Sequence, residues 1–178
     1  IDAVGLIAAP GLVDLSVALR EPGYSRKGTI TSETLAAAAG GVTSLCCPPH
    51  TKPVLDTPAV TELIIDRARE AGHAKVYPIG ALTLGLAGER ITEMAELAEA
   101  GCIAFGQASQ SILDTQVLLR AMQYAATFDF AVWLSAQDPY LARNGVAHDG
   151  EVAARLGLAG IPVAAETIAL ATILQLAK

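Results

Sequence analysis

The chain carries three histidines, at 50, 73 and 148, and three cysteines, at 46, 47 and 102. These are the residue types that hold a catalytic metal, which needs about three or four deprotonated His, Cys, Asp or Glu groups converging on one point. Their spacing does not favour such a cluster. His73 follows Gly72 at a predicted helix end and reads as a surface or cap histidine. His148 lies in the polar turn of residues 144–150 and reads as solvated. Cys46 and Cys47 are neighbours in a predicted strand, so they point to opposite faces and cannot chelate together. All three cysteines read as buried structural thiols. His50, just beyond Pro48-Pro49, stands where a ligand could meet it. Arg20 could hold a carboxylate through its planar fork, or pair with Glu21 or Asp14 in a structural network.

The elements that would position these residues alternate in type. Residues 12–19, an apolar run after Pro10-Gly11, predict a strand. Thr31 or Ser32 can cap a helix that passes through residues 36–39 and stops at Gly40-Gly41. Residues 42–47 predict a second strand. Thr57-Pro58 opens a helix that runs to Ala71 and stops at Gly72. Further strands are expected over 75–79, 102–105 and 130–134, separated by helices over 89–100 and 113–127. Two more helices are expected around 150–156 and 163–177. Strands alternating with helices of this length predict βαβ units and a parallel sheet. Strands that are apolar on both faces fit a sheet covered by helices.

In parallel α/β folds ligands sit at the C-terminal ends of the strands. That rule singles out Asp14, Ser16, Ala18, Arg20 and Glu21 after the first strand, and Pro49, His50 and Thr51 after the second. It adds Gln107, Ser109 and Gln110 after the fourth, and Ser135, Gln137 and Asp138 after the fifth. No G-x-G-x-x-G follows the first strand, which weakens a dinucleotide-binding reading. About five βα units fit the 178 residues, whereas a complete eight-unit barrel takes about 250. The expectation is one domain over residues 1–178, either an open doubly wound sheet or the first five units of a barrel. The chain opens and closes inside apolar patterns, so it is expected to be a piece of a longer one. The open sheet edges of such a piece predict self-association.

Composition narrows the function classes. With 52% hydrophobic and 17% charged residues, the chain is not of the disordered class. An odd number of cysteines argues against a disulfide scaffold. A net charge of −6 argues against nucleic acid as a partner. No apolar stretch reaches the roughly 18 residues of a membrane span. No signal-peptide pattern is visible, which fits a reducing, cytoplasmic setting.

Residues 11–23, GLVDLSVALREPG, resemble the opening of dihydroorotases in the amidohydrolase superfamily, whose pattern is G-x-V-D-x-H-x-H-x-R-E-P-G. Residues 36–43, AAAAGGVT, continue the resemblance, and Pro49-His50-Thr51-Lys52-Pro53 is similar to the family's M-P-N-T-x-P. Residues 101–106 look like the approach to its fourth strand. Residues 157–162 with Ala165-Glu166 are similar to L-G-L-x-G-I-P-x-x-A-E. Five separated segments match in order along almost the whole chain.

The resemblance implies an α/β fold, a partial TIM-type (β/α) barrel of about five of the eight units. It also shows where this chain departs from the family. The two metal-binding histidines of the first strand correspond to Ser16 and Ala18. The region after the fourth strand, where the family has an acidic ligand or a carboxylated lysine, reads Gly106-Gln107-Ala108-Ser109. The histidine after the fifth strand corresponds to Ser135. The asparagine of M-P-N-T corresponds to His50. Arg20, matching the family's substrate-carboxylate arginine, remains, as does Asp14. Arg20, His50 and Asp14 are therefore expected to be the remnant of a substrate-like pocket, without catalytic residues. Zinc belongs to the active relatives. Here Ala18 has no lone pair, and serine hydroxyls are weak zinc ligands beside imidazole, so neither metal nor cofactor is expected.

What the resemblance implies about function is a noncatalytic dihydroorotase-like chain of pyrimidine biosynthesis. Such a chain is bound to aspartate transcarbamoylase and supports its assembly and activity. Two alternatives remain. One is a metal-dependent cyclic amidohydrolase with relocated ligands such as His50 and Asp138. The other is a ligand-binding remnant in which Arg20 and His50 hold a small carboxylate or a nucleotide phosphate.

Overall fold

The computed structural model describes residues 4, 5 and 7–177. Five strands, β1 (Leu12–Asp14), β2 (Val42–Cys47), β3 (Lys75–Ala81), β4 (Ala104–Gly106) and β5 (Val132–Trp133), pair in sequence order. Every pairing is parallel. The helices α1 (Ile30–Ala39), α2 (Pro58–Ala71), α3 (Met94–Glu99) and α4 (Thr115–Thr127) return the chain between successive strands. The result is a curled half-barrel, the partial barrel expected above. Beyond it come β6 (Ala147–His148), α5 (Glu151–Leu156), β7 (Gly160–Ile161) and α6 (Val163–Leu176), with β6 and β7 forming a separate parallel pair.

Alternation along the strands divides the core in two. On the helix-covered face, Leu45, Cys47, Ile64, Ala68, Leu97, Phe105 and Ala121 pack in one cluster. On the concave face, Cys46, Ile79 and Ala104 pack with Tyr77 and Trp133. Cys46 and Cys47 do point to opposite sides, as their adjacency required. At Gly80 an added methyl would meet the Phe105 ring at 2.7 Å, so glycine lets the largest buried side chain lie flat on β3.

Several boundaries differ from the sequence expectation for local reasons. The first strand ends at Asp14, not residue 19. The Asp14 carboxylate accepts from the Ser16 amide at 3.0 Å and bends the chain, although the Val17 amide still donates to the Cys46 carbonyl at 2.9 Å. α1 is capped by Thr29, not by Thr31 or Ser32. Ser32 is the reciprocal partner: the Ser32 amide donates to Thr29 Oγ1 at 3.1 Å and the Thr29 amide to Ser32 Oγ at 2.9 Å, a capping box. The helix expected over 89–100 begins only at Met94. Before it, a 3-10 turn (Leu84–Leu86) and a bridge between Thr83 and Ile91 occupy the chain, and the Thr92 hydroxyl donates to the Ala81 carbonyl at 2.6 Å. His148 sits in β6 rather than in a turn, although it is exposed.

The accessible surface is 10843 Å², against roughly 8,100 Å² for a compact chain of this mass. Much of the apolar part of that surface lies on two elements. These are the outer edge at Leu12, Val13 and Leu15, and α6, where Val163, Ile168, Leu170 and Leu174 are exposed. Stability should therefore come from the helix–sheet cluster. Ile64→Ala is expected to cost about 2–5 kcal/mol, and Leu35→Ala, exposed on α1, less than about 0.5 kcal/mol. Urea unfolding of both variants checks this, with an equal loss for the two as the contrary result.

Candidate functional site

Parallel pairing brings the C-terminal ends of β1–β5 to one mouth. A cavity of about 520 Å³ opens there, lined by residues that include Ser16, Pro49, His50, Ile79, Trp133 and Ser135. A narrower crevice of about 30 Å³ shares His50 and is bordered by Ala18, Arg20, Tyr24 and Thr51. The structure thus brings Ser16, His50 and Ser135 together, and Ala18 and Arg20 beside the same histidine. Asp14 lines neither space. Its carboxylate is engaged by the Ser16 amide.

Other residues singled out by the strand-end rule are held by the backbone. The Glu21 carboxylate accepts from the Ile30 amide at 2.9 Å, so it caps the first turn of α1. Asp138 accepts from the amides of Tyr140 and Leu141, both at 2.9 Å. The structural network open to Arg20 does not form: the ion pairs among the described residues join Arg67 to Glu70 and Arg69 to Asp66. His73 follows Gly72 at the opposite end of the sheet from the mouth, and it is exposed.

Gln107 is completely buried. Its amide nitrogen donates to the Thr83 hydroxyl at 2.7 Å, and its Oε1 has no protein partner. Thr83 in turn accepts from the Gly88 amide at 3.0 Å. The residue after β4 is therefore tied sideways into the loop that follows β3. Trp133, on the concave face, was not singled out from the sequence. A lone aromatic in a short strand gives no signal of the cavity it lines.

The groups at the mouth include the Ser16, Ser109 and Ser135 hydroxyls, the Ala18 methyl and the His50 imidazole. Among the described residues, no group of three or more His, Cys, Asp or Glu side chains is placed to hold a metal ion. A catalytic zinc does not fit these residues.

The family described as "Dihydro-orotase-like" matches residues 5–178. The chain belongs to this dihydroorotase-like family. A "Dihydroorotase-like protein" of Pseudomonas aeruginosa is 62% identical over all 178 residues. A "Dihydroorotase" of Syntrophotalea carbinolica is 45% identical over the same span. The chain covers 42% of the length of each. Among solved structures, the L-hydantoinase (dihydropyrimidinase) of Arthrobacter aurescens superposes with a TM-score of 0.70 at 20% identity, covering 94% of this chain and 39% of that one. Dihydroorotase of Saccharomyces cerevisiae, in complex with 5-fluoroorotic acid, gives 0.59 at 16% identity, with coverage of 93% and 44%. These likenesses show the fold, a partial barrel.

The three thiols of this dihydroorotase-like chain are all buried. Burial pushes Cys47 up to about 12. It pushes Cys102 up to about 11, with the Thr61 hydroxyl at 3.5 Å drawing it partly back. Burial also raises Cys46, and the Asp14 charge adds to that. A thiol that stays protonated is a poor nucleophile and metal ligand. In the unfolded chain a thiol ionises near 9.0. The thiols' contribution to stability is thus complete below pH 9 and lost as pH rises towards 11–12. Cys47→Ala should flatten that alkaline loss in pH-dependent urea unfolding. Native Cys47 should also react with a thiol reagent at pH 8 far more slowly than in urea. A fast native reaction would contradict the packing described.

Proposed function

We propose that this chain is a noncatalytic dihydroorotase-like component of pyrimidine biosynthesis that supports the assembly and activity of aspartate transcarbamoylase. The observation that carries the reading is the chemistry of the mouth. Ser16, Ala18 and Ser135 stand where the resemblance puts metal-binding histidines, and they border the cavity and crevice that share His50. A methyl and two hydroxyls cannot hold and polarise a zinc-bound water as imidazoles do. The barrel meanwhile keeps its capped helices and its buried core. In this reading residues 1–178 form one domain, part of the barrel, without zinc or another cofactor, acting in the cytoplasm. Arg20 and His50 are the remnant of a substrate-like pocket, and Asp14, which lines neither space, shapes the turn after β1. The test is metal content and dihydroorotate ring opening of the purified protein, together with co-purification of transcarbamoylase. Less than about 0.1 zinc per chain, no turnover and recovery of the transcarbamoylase are expected. Stoichiometric zinc with turnover would sink the proposal, as would a transcarbamoylase that assembles and works equally well without this chain.

The second reading is a metal-dependent dihydroorotase or cyclic amidohydrolase, favoured by the relatives named "Dihydroorotase" at 45% identity. The same zinc and turnover measurements decide between the two.

Self-association is part of the proposal. The surface in excess of a compact chain, about 2,700 Å², is more than one partner contributes to a standard interface, about 800 Å². The exposed apolar residues of β1 and α6 supply the chemistry of such a contact. A second copy of the chain is the proposed occupant. Light scattering is expected to give twice the mass of 18.3 kDa, and a monomer at micromolar concentration would refute this part.

A further inference from the structure

The chain has 12 Lys and Arg against 18 Asp and Glu, and among the described residues only Arg67 and Arg69 take part in ion pairs. Four of the other cations, Arg20, Arg26, Lys27 and Lys52, are exposed on two segments joined by the hydrogen bond from the Lys52 amide to the Pro22 carbonyl. Two of them converge on one ring: Lys52 Nζ lies 5.1 Å and Lys27 Nζ 5.7 Å from the centroid of Tyr24. Arg20 and Tyr24 border the same crevice as His50. The nearby carboxylates make no ion pair with these cations. Glu21 accepts from the Ile30 amide, Glu33 from the Ser32 hydroxyl at 3.3 Å, and Asp56 from the Gly85 amide at 2.7 Å.

The cluster is held by backbone rather than by chance side-chain placement. The Tyr24 amide donates to the Arg20 carbonyl at 2.6 Å, Lys27 to Tyr24 at 2.8 Å, and Lys52 to the Pro22 carbonyl at 3.1 Å. Gly23, at φ +108°, lets residues 20–27 lie against Lys52, since a side chain there would run into the lysine's own Cβ and backbone. The Thr51 hydroxyl donates to the Pro53 carbonyl at 2.7 Å. Two chain segments thus bring ammonium groups to one aromatic ring. The ring attracts each cation but cannot cancel their mutual repulsion. A multiply charged anion would.

We propose that Lys27 and Lys52, gathered on Tyr24 and flanked by Arg20 and Arg26, form a binding site for a polyphosphate group. The site lies next to the cavity that Trp133 lines, so the group can be an inorganic polyphosphate or the phosphate chain of a nucleotide whose base enters the cavity. This inference does not rest on the scaffold role. Calorimetry with inorganic tripolyphosphate and with ATP tests it on the purified chain. One site per chain is expected for both probes, with affinity falling about tenfold between low and 0.5 M salt as the charges are screened. K27A/K52A should weaken binding at least tenfold with the circular dichroism spectrum unchanged, whereas R67A/R69A, on the outer face of α2, should not. Trp133 is the single tryptophan. Its fluorescence should change with ATP and not with tripolyphosphate if the base enters the cavity, and with neither if only the phosphates are held. Either fluorescence result is consistent with the site and names its source. Absence of binding by both probes overturns the proposal, as does an equal loss in the two double variants.

Discussion

Parallel strand pairing is the constraint on which the rest of this molecule depends. Two parallel neighbours cannot be joined by a tight turn, so the chain must cross the sheet between them. α1 to α4 make those crossings on one face. Two consequences follow at once. The helices cover one side of the sheet and the concave side packs on itself, so strand residues are apolar on both sides, as Cys46 and Cys47 show on β2. And all five strands end at the same edge, so the loops after them meet whatever their sequence separation. Ser16, His50 and Ser135 share a cavity for that reason alone.

The same constraint separates what holds the fold from what acts at the mouth. Glu21 and Asp138 are acidic residues at strand ends, yet both carboxylates are taken by backbone amides. Asp14 is taken the same way. Gln107 faces Thr83. Several polar residues nearest the strand ends serve loop geometry, and the groups left to meet a ligand include the cations of residues 20–27, Lys52, His50 and the hydroxyls of Ser16, Ser109 and Ser135. A mouth with this inventory can attract anions. It has few means of activating water.

The strand order and the four crossing helices were legible in the sequence because their signals are strong and local: apolar runs of three to six residues, Pro58 at a helix start, Gly72 at a stop. The misplaced boundaries depend on particular hydrogen bonds and not on periodicity. α1 starts where it does because Thr29 and Ser32 cap each other and Glu21, nine residues away, reaches the Ile30 amide. α3 is short because Thr92 bonds back to Ala81 across the loop. β6 and β7, two residues each, exist only through their mutual pairing, which no periodicity can announce. At the site, the strand-end rule located His50, Arg20, Ser16 and Ser135. It could not tell which carboxylates the backbone would claim, and it passed over Trp133 and Tyr24, whose roles arise from neighbours at other strands and loops.

In the proposed reading, serine and alanine in place of histidines and the cations beside them bear on different energies. Replacing imidazole by hydroxyl or methyl at Ser16, Ala18 and Ser135 removes the capacity to bind a metal but leaves hydrophobic packing untouched, because these positions line open space and not the clusters around Ile64 and Ile79. The barrel therefore has no reason to lose stability with its ligands. The lysines on Tyr24 are the opposite case. Like charges brought together raise the free energy of the folded chain unless something answers them, and the chain's own acids do not. Persistence of that arrangement, on a loop tied by three backbone hydrogen bonds, argues for an external anion as the compensating charge.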